Sequence, residues 1–332
     1  MTQHIRSRRV LRRAGLVVVA VLAVVGLVAA YQFLFGAPGV GHFRSADGRD
    51  SYVATYERAM STLPTPSEVH DVPTRFGTVR VYEWTSPQTA DSVPVVLVPG
   101  RASGVPMWGE NLPGFLPEHR VLAFDALGDA GLSVQAAPLT STDDQALWID
   151  DTLSGLGVET AHVVGHSFGG ASAASYAKQF PEKVRSLTLL EPVFTFGYPP
   201  ARMLFWASVS TLPGLPNSWR DTALARVGGV DDYDSDDPMA TMISEASQHF
   251  SAALPTPSPL SDAELRALSM PTYIAIAERD SLAGGEKAAA RAQQLADAAV
   301  LVFPDTTHSL PMQAKDRLNS ELPEFWRRVE QD

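Results

Sequence analysis

The stretch "AHVVGHSFGGASAASYA", residues 161–177, decides the fold. An apolar run, Ala161–Gly165, ends in the short turn Gly165-His166-Ser167-Phe168-Gly169. Small residues follow: Gly170, Ala171, Ala173, Ala174 and Ala177. The run has the composition of a buried strand and the alanines that of a helix. Glycines on both sides of a serine, at a strand-to-helix junction, suit a turn too tight for larger side chains. A Gly-x-Ser-x-Gly pattern alone says little, because both residues are common. The strand before it and the helix after it give it weight. Ser167 is therefore the candidate nucleophile, and Gly165, His166 and Gly169 form its elbow.

Outward from the elbow, five more short runs are almost wholly apolar: "VPVVLVPG" (93–100), "RVLAFDALG" (120–128), "VRSLTLLEP" (184–192), "TYIAIAERD" (272–280) and "AVLVFPD" (299–305). Strands without polar alternation are buried on both faces, as in a parallel sheet covered by helices. The intervening segments fit that reading. In "STDDQALWIDDTLSGLG" (141–157), Ala146, Ile149, Leu153 and Leu156 recur at helical spacing behind a Ser141/Asp144 cap. "GGEKAAARAQQLADA" (284–298) is rich in helix formers. Ahead of these, "EVHDVPTRFGTVRVYEWTS" (68–86) alternates on both sides of Phe76-Gly77, which predicts an antiparallel hairpin. The expected class is α/β, a mostly parallel doubly wound sheet. Its core covers 67–193 and 271–332. Residues 194–270, aromatic and interrupted by prolines, read as a helical cap inserted between core strands.

The N-terminus has a different character. Residues 1–13 hold five arginines and no acid, and 14–35 are apolar but for Gln32. About 20 apolar residues suffice to span a bilayer. This predicts a transmembrane signal-anchor at 14–35, with a cytoplasmic basic segment and an extracytoplasmic body at the cell membrane. The alternative is secretion after signal cleavage near Val28-Ala29-Ala30. Residues 36–66 read as a linker and a short helix with Tyr52, Tyr56 and Met60 on one face. The net charge is −11, so the five N-terminal arginines leave −16 on the remainder. So acidic a body disfavours nucleic acid. The chain has no cysteine, which excludes disulfides, thiolate metal sites and a cysteine nucleophile. The acidic run "DDYDSDD" lacks the spacing of a calcium loop. No metal and no cofactor is implied, and the expected partner is a small acyl substrate.

A serine hydroxyl needs a base, and the base needs an orienting carboxylate. With a serine elbow on an α/β sheet the chain order is Ser, acid, His. Of the histidines far downstream of Ser167, His249 lies in a helix-like stretch. His308, in "FPDTTHSLP", follows the last strand and is the candidate base. Two carboxylates end strands, Glu191 in "LTLLEPVF" and Asp280 in "IAIAERDSLAG". Asp280 is the expected acid, because a short loop before a helix leaves it free. Glu191 is the alternative. An oxyanion needs preorganised N–H donors. The backbone N–H groups of Phe168 and Arg101 are the candidates. Phe194, Phe196, Tyr198, Phe205 and Trp206 would line an apolar substrate pocket.

At these residues the chain resembles the alpha/beta-hydrolase family, near its cofactor-free haloperoxidase and carboxylesterase branch. The resemblance covers about 72–330 and rests on "VVLVPG", "LAFDALGDAGLS", "GHSFGG", "ERD" and "TTHS". Pro99-Gly100 stands where members often carry His-Gly ahead of the oxyanion residue. The resemblance implies a serine hydrolase that cleaves an ester-like acyl bond through Ser167, His308 and Asp280 and an acyl-enzyme. Perhydrolase or haloperoxidase chemistry, thioester or carbon–carbon hydrolysis, and low-turnover ligand binding are the alternatives on the same scaffold.

Overall fold

The computed structural model describes residues 39–212, 215–230 and 233–331. Eleven strands and eleven α-helices follow one another in the described residues. First come β1 (His42–Phe43), α1 (Ala46–Met60), β2 (Glu68–Thr74), β3 (Gly77–Trp84) and β4 (Val95–Val98). Next are α2 (Leu112–Phe115), β5 (Val121–Phe124), β6 (Val134–Gln135), α3 (Thr142–Gly155), β7 (Ala161–His166), α4 (Phe168–Gln179) and β8 (Val184–Leu190). The inserted helices α5 (Ala201–Thr211), α6 (Asn217–Gly228) and α7 (Pro238–His249) precede β9 (Phe250–Ser251). The chain ends with α8 (Asp262–Ala267), β10 (Thr272–Ala277), α9 (Glu286–Ala292), β11 (Ala298–Phe303), α10 (Leu310–Gln313) and α11 (Lys315–Gln331).

Eight strands lie side by side in the order β11-β10-β8-β7-β4-β5-β3-β2, and β6 adds to β3. The run from β5 to β11 is parallel. The hairpin partners β2 and β3 are antiparallel to each other, and β3 is antiparallel to β5. The sheet is therefore mixed. Its winding reverses at β4: the chain goes first to β5 on one side and then to β7 on the other. Ligand sites in open α/β sheets form beyond the strand carboxyl ends at such a reversal.

The apolar runs are explained by burial on both faces. Along β4, Val96 and Val98 belong to one core cluster and Val95 and Leu97 to the other. Trp148, Ile149, Ala173 and Ala177, from α3 and α4, complete the first layer. Tyr52 and Tyr56 of α1, with Leu318, Leu322 and Trp326 of α11, complete the second. Each large side chain buried in this way contributes about 1.5–3 kcal/mol. Residues 42–60, within the segment expected as a linker and a short helix, belong to the fold: Ser45 caps α1, Tyr56 donates to Asp125 Oδ1 at 3.1 Å, and β1 pairs with β9.

The expected transmembrane helix ahead of this fold is not upheld. Among the described residues no helix is long and apolar enough to cross a membrane. The segment 14–35 lies outside the described residues.

Candidate active site

Ser167 caps the N-terminus of α4 at φ 54°, ψ −122°, a strained conformation for a residue with a side chain. The glycines make the turn possible. A Cβ on Gly165 would stand 2.5 Å from the Gly169 carbonyl oxygen, and one on Gly169 would stand 2.3 Å from that of Pro99. The elbow is therefore wedged between its own helix and the loop after β4.

His308, in the turn between β11 and α10, places Nε2 2.8 Å from Ser167 Oγ. Its Nδ1 lies 3.2 Å from Oε2 of Glu191, not of Asp280. Ser167, His308 and Glu191 are 8%, 7% and 0% exposed. Glu191 follows β8 at φ 47° and is fully enclosed. Its Oε1 accepts from Ala277 N at 2.7 Å and from Ser281 Oγ at 2.7 Å. Its Oε2 accepts from Leu282 N at 3.0 Å and Ala283 N at 3.3 Å. A buried carboxylate this fully surrounded by donors is held in place.

The expected acid, Asp280, is corrected by this geometry. Its side chain is 45% exposed and pairs with Arg202 on α5. The Ser-Leu-Ala-Gly-Gly loop that was to free Asp280 instead wraps its N–H groups around Glu191. Sheet order favours Glu191 as well, because β8 is the neighbour of the nucleophile strand β7 and β10 lies one strand further out.

His166 is buried and hydrogen-bonds through Nε2 to the His308 carbonyl at 3.0 Å. Burial, reinforced by His308, pushes its pKa down to about 3. A neutral His166 therefore donates Nε2–H to the peptide of His308 and steadies the loop that carries it. The two rings lie 4.9 Å apart.

The loop after β4 lies against the elbow: a Cβ on Gly100 would be 3.2 Å from Ser167 Cβ. The Gly100 carbonyl accepts from Ser103 Oγ at 2.7 Å. In a trans peptide this turns the Arg101 N–H the opposite way. Among the described residues neither the Arg101 nor the Phe168 N–H has a hydrogen-bond partner. Asp129 Oδ2 accepts from Ala102 N at 2.7 Å and fixes this loop. Asp129 and Ser281 were missed in the sequence. Asp129 lies in the stretch "DALGDAGLS", but only contact shows which acid there meets the loop after β4.

The expected pocket aromatics disperse. Phe196 is buried in the main core cluster. Tyr198 and Phe205 are 68% and 59% exposed, and Phe205 packs on Trp206 at 5.1 Å. Phe194 helps line a cleft of about 240 Å³ with Lys178, Leu260 and Glu264, but that cleft does not include Ser167.

An enclosed serine, histidine and glutamate at the carboxyl edge of a nine-stranded sheet define a class of protein. The sequence profile of the alpha/beta hydrolase family matches residues 95–321, and the chain belongs to that family. Two relatives in Bacillus subtilis are the uncharacterized carboxylesterase nap, 30% identical over 151 residues (46% of this chain and 49% of the relative), and the carboxylesterase YbfK, 29% identical over 154 residues (46% and 51%). The chain spans about half the length of the curated relatives it matches. The fold likeness reaches further. The crystal structure of the Bacillus subtilis carboxylesterase YbfK superposes with a TM-score of 0.78 at 22% identity, over 84% of this chain and 98% of that one.

Proposed function

We propose that the protein is a serine hydrolase that cleaves a small carboxylic ester through Ser167, His308 and Glu191. The hydrogen-bonded line from Ser167 Oγ through the imidazole to Glu191 carries the reading. The similar carboxylesterases of Bacillus subtilis support the choice of an ester.

In the first half-reaction Ser167 Oγ attacks the ester carbonyl carbon while His308 Nε2 takes the hydroxyl proton. The carbonyl oxygen becomes an oxyanion, met by the N–H groups of Phe168 and Arg101. Glu191 holds the imidazole in the Nδ1–H tautomer and stabilises the imidazolium. The carbon–oxygen bond to the alcohol then breaks, and His308 returns the proton to the leaving alkoxide. Water, activated by the same histidine, adds to the acyl-Ser167 ester and releases the acid. The strained elbow keeps Oγ at the mouth of the turn throughout.

The test is turnover of a short p-nitrophenyl ester by the purified chain and by Ser167→Ala. Release of nitrophenolate by the native chain and its loss in the variant are expected. An equally active alanine variant contradicts the reading.

A further inference from the structure

At the other end of β7, three residues far apart in the chain meet. His119 precedes β5, His162 is the second residue of β7, and Glu330 lies in the last turn of α11. Glu330 Oε1 is 3.3 Å from His162 Nε2 and 3.6 Å from His119 Nε2. One ligand atom from each residue lies within 4.8 Å of the others. We propose that His119, His162 and Glu330 bind a d-block divalent cation of the zinc type, with water completing the coordination.

The spacing suits such an ion. Bonds of about 2.0–2.1 Å at tetrahedral angles put ligand atoms about 3.4 Å apart, close to the 3.3 and 3.6 Å separations here. The donor set, two imidazoles and one carboxylate, suits zinc, nickel or copper rather than calcium or magnesium. His162 Nδ1 lies 2.7 Å from Ser186 Oγ, an outer partner that fixes the ring and can leave Nε2 free to ligate.

His162 is satisfied without an ion, its Nε2 lying within hydrogen-bond reach of Glu330 at 3.3 Å, but His119 is not. His119 is only 2% exposed. Its Nε2 stands 3.6 Å from the carboxylate, beyond hydrogen-bond reach. An ion between Nε2 and Glu330 would satisfy that nitrogen. The nearby cations are otherwise engaged: Arg327 pairs with Glu118 at 2.8 Å, and Arg185 donates to the Val329 carbonyl at 2.5 Å. Glu330 is 32% exposed, which gives solvent and metal a way in. His162 lies five positions before Ser167 along β7, about 16 Å away. The site is thus distinct from the catalytic line and does not depend on how that line is read.

The untagged full chain, stripped with a chelator, is titrated with Zn²⁺ by calorimetry. One ion per chain and a raised Tm are expected, and Ca²⁺ should give neither. Glu330→Gln, on a partly exposed helix end, should keep the native circular dichroism and weaken Zn²⁺ binding at least about tenfold. Cu²⁺ bound to the native chain should show two imidazole nitrogens by electron paramagnetic resonance, and one in His119→Gln. The proposal is overturned if the native chain binds no Zn²⁺. It is equally overturned if Glu330→Gln binds unchanged, or if binding is lost only in His70→Gln, which would place the ion beside Glu68 and Glu83.

Discussion

Replacing Glu191 by glutamine separates the two candidate acids. The carboxylate receives five donors: two on Oε1, and two N–H groups with His308 on Oε2. An amide keeps only one acceptor oxygen. Turned toward the three donors on the Oε2 side, it points its NH₂ at Ala277 N–H, which approaches to 2.7 Å in the native site. One buried donor left without an acceptor costs about 1–3 kcal/mol of stability. The catalytic loss is larger. An amide in this role in a serine protease costs about 10⁴ in kcat, or about 5 kcal/mol of transition-state stabilisation. Glu191→Gln should therefore lose about 10³–10⁴ in kcat, with KM little changed and a lowered Tm. Asp280→Asn removes an exposed ion pair with Arg202, and such pairs contribute about 0–1 kcal/mol. Its kcat should stay within about threefold of native. The assay is kcat on one p-nitrophenyl ester, with folding checked by circular dichroism. A crippled Asp280→Asn beside a nearly native Glu191→Gln would refute the reasoning.

Two further outcomes follow from the same contacts. Burial pushes His162 and His166 down to about 3, from the ordinary 6.5, so the unfolded chain takes up protons that the folded one refuses. Their stabilisation is present above pH 6.5 and lost as pH falls toward 3. Asp125, raised by burial to about 6, works the other way and gains stability as pH falls through 6. The smaller shifts of His119 and Asp129, also due to burial, oppose each other. Two histidines against one aspartate leave a net loss of stability as pH falls from 6 to 4, and Glu264, held down to about 2 chiefly by hydrogen bonds from Ser261, adds to that loss near pH 4.5. Urea midpoints across that range measure it, and a flat profile contradicts it. The second outcome concerns the elbow. A Cβ at Gly169 would press on the carbonyl oxygens of Pro99 and Val98 at 2.3 and 2.4 Å, whereas one at Gly197 meets nothing within 4 Å. Gly169→Ala should lose about 3 kcal/mol or fail to fold, and Gly197→Ala should be close to neutral in a thermal melt.

What the sequence revealed was local. The elbow shows because strand, turn and helix are consecutive, and the turn's crowding restricts residue type at Gly165 and Gly169. His308 shows because it follows the last strand in a loop that reaches the same sheet edge. The choice between Glu191 and Asp280 depends on two facts that no local pattern carries. One is the sheet order, which sets β8 beside β7. The other is the path of residues 281–283, whose donors enclose Glu191. A positive φ at both residues, 47° and 44°, gave no advantage to either. The aromatic residues of the insertion misled for a related reason. Phe196 is apolar because it enters the core, and Tyr198 and Phe205 are exposed on the surface. Composition does not separate these environments. His119, His162 and Glu330 carried no signal, since their meeting is entirely long-range.

The central claim is that Ser167, activated by His308, is the nucleophile. Mass spectrometry of the chain treated with a fluorophosphonate measures this directly. One phosphonyl adduct is predicted, on the peptide containing Ser167, absent when Ser167 is alanine and formed far more slowly in Glu191→Gln. An adduct on another residue, or none in a folded native chain, would contradict the account.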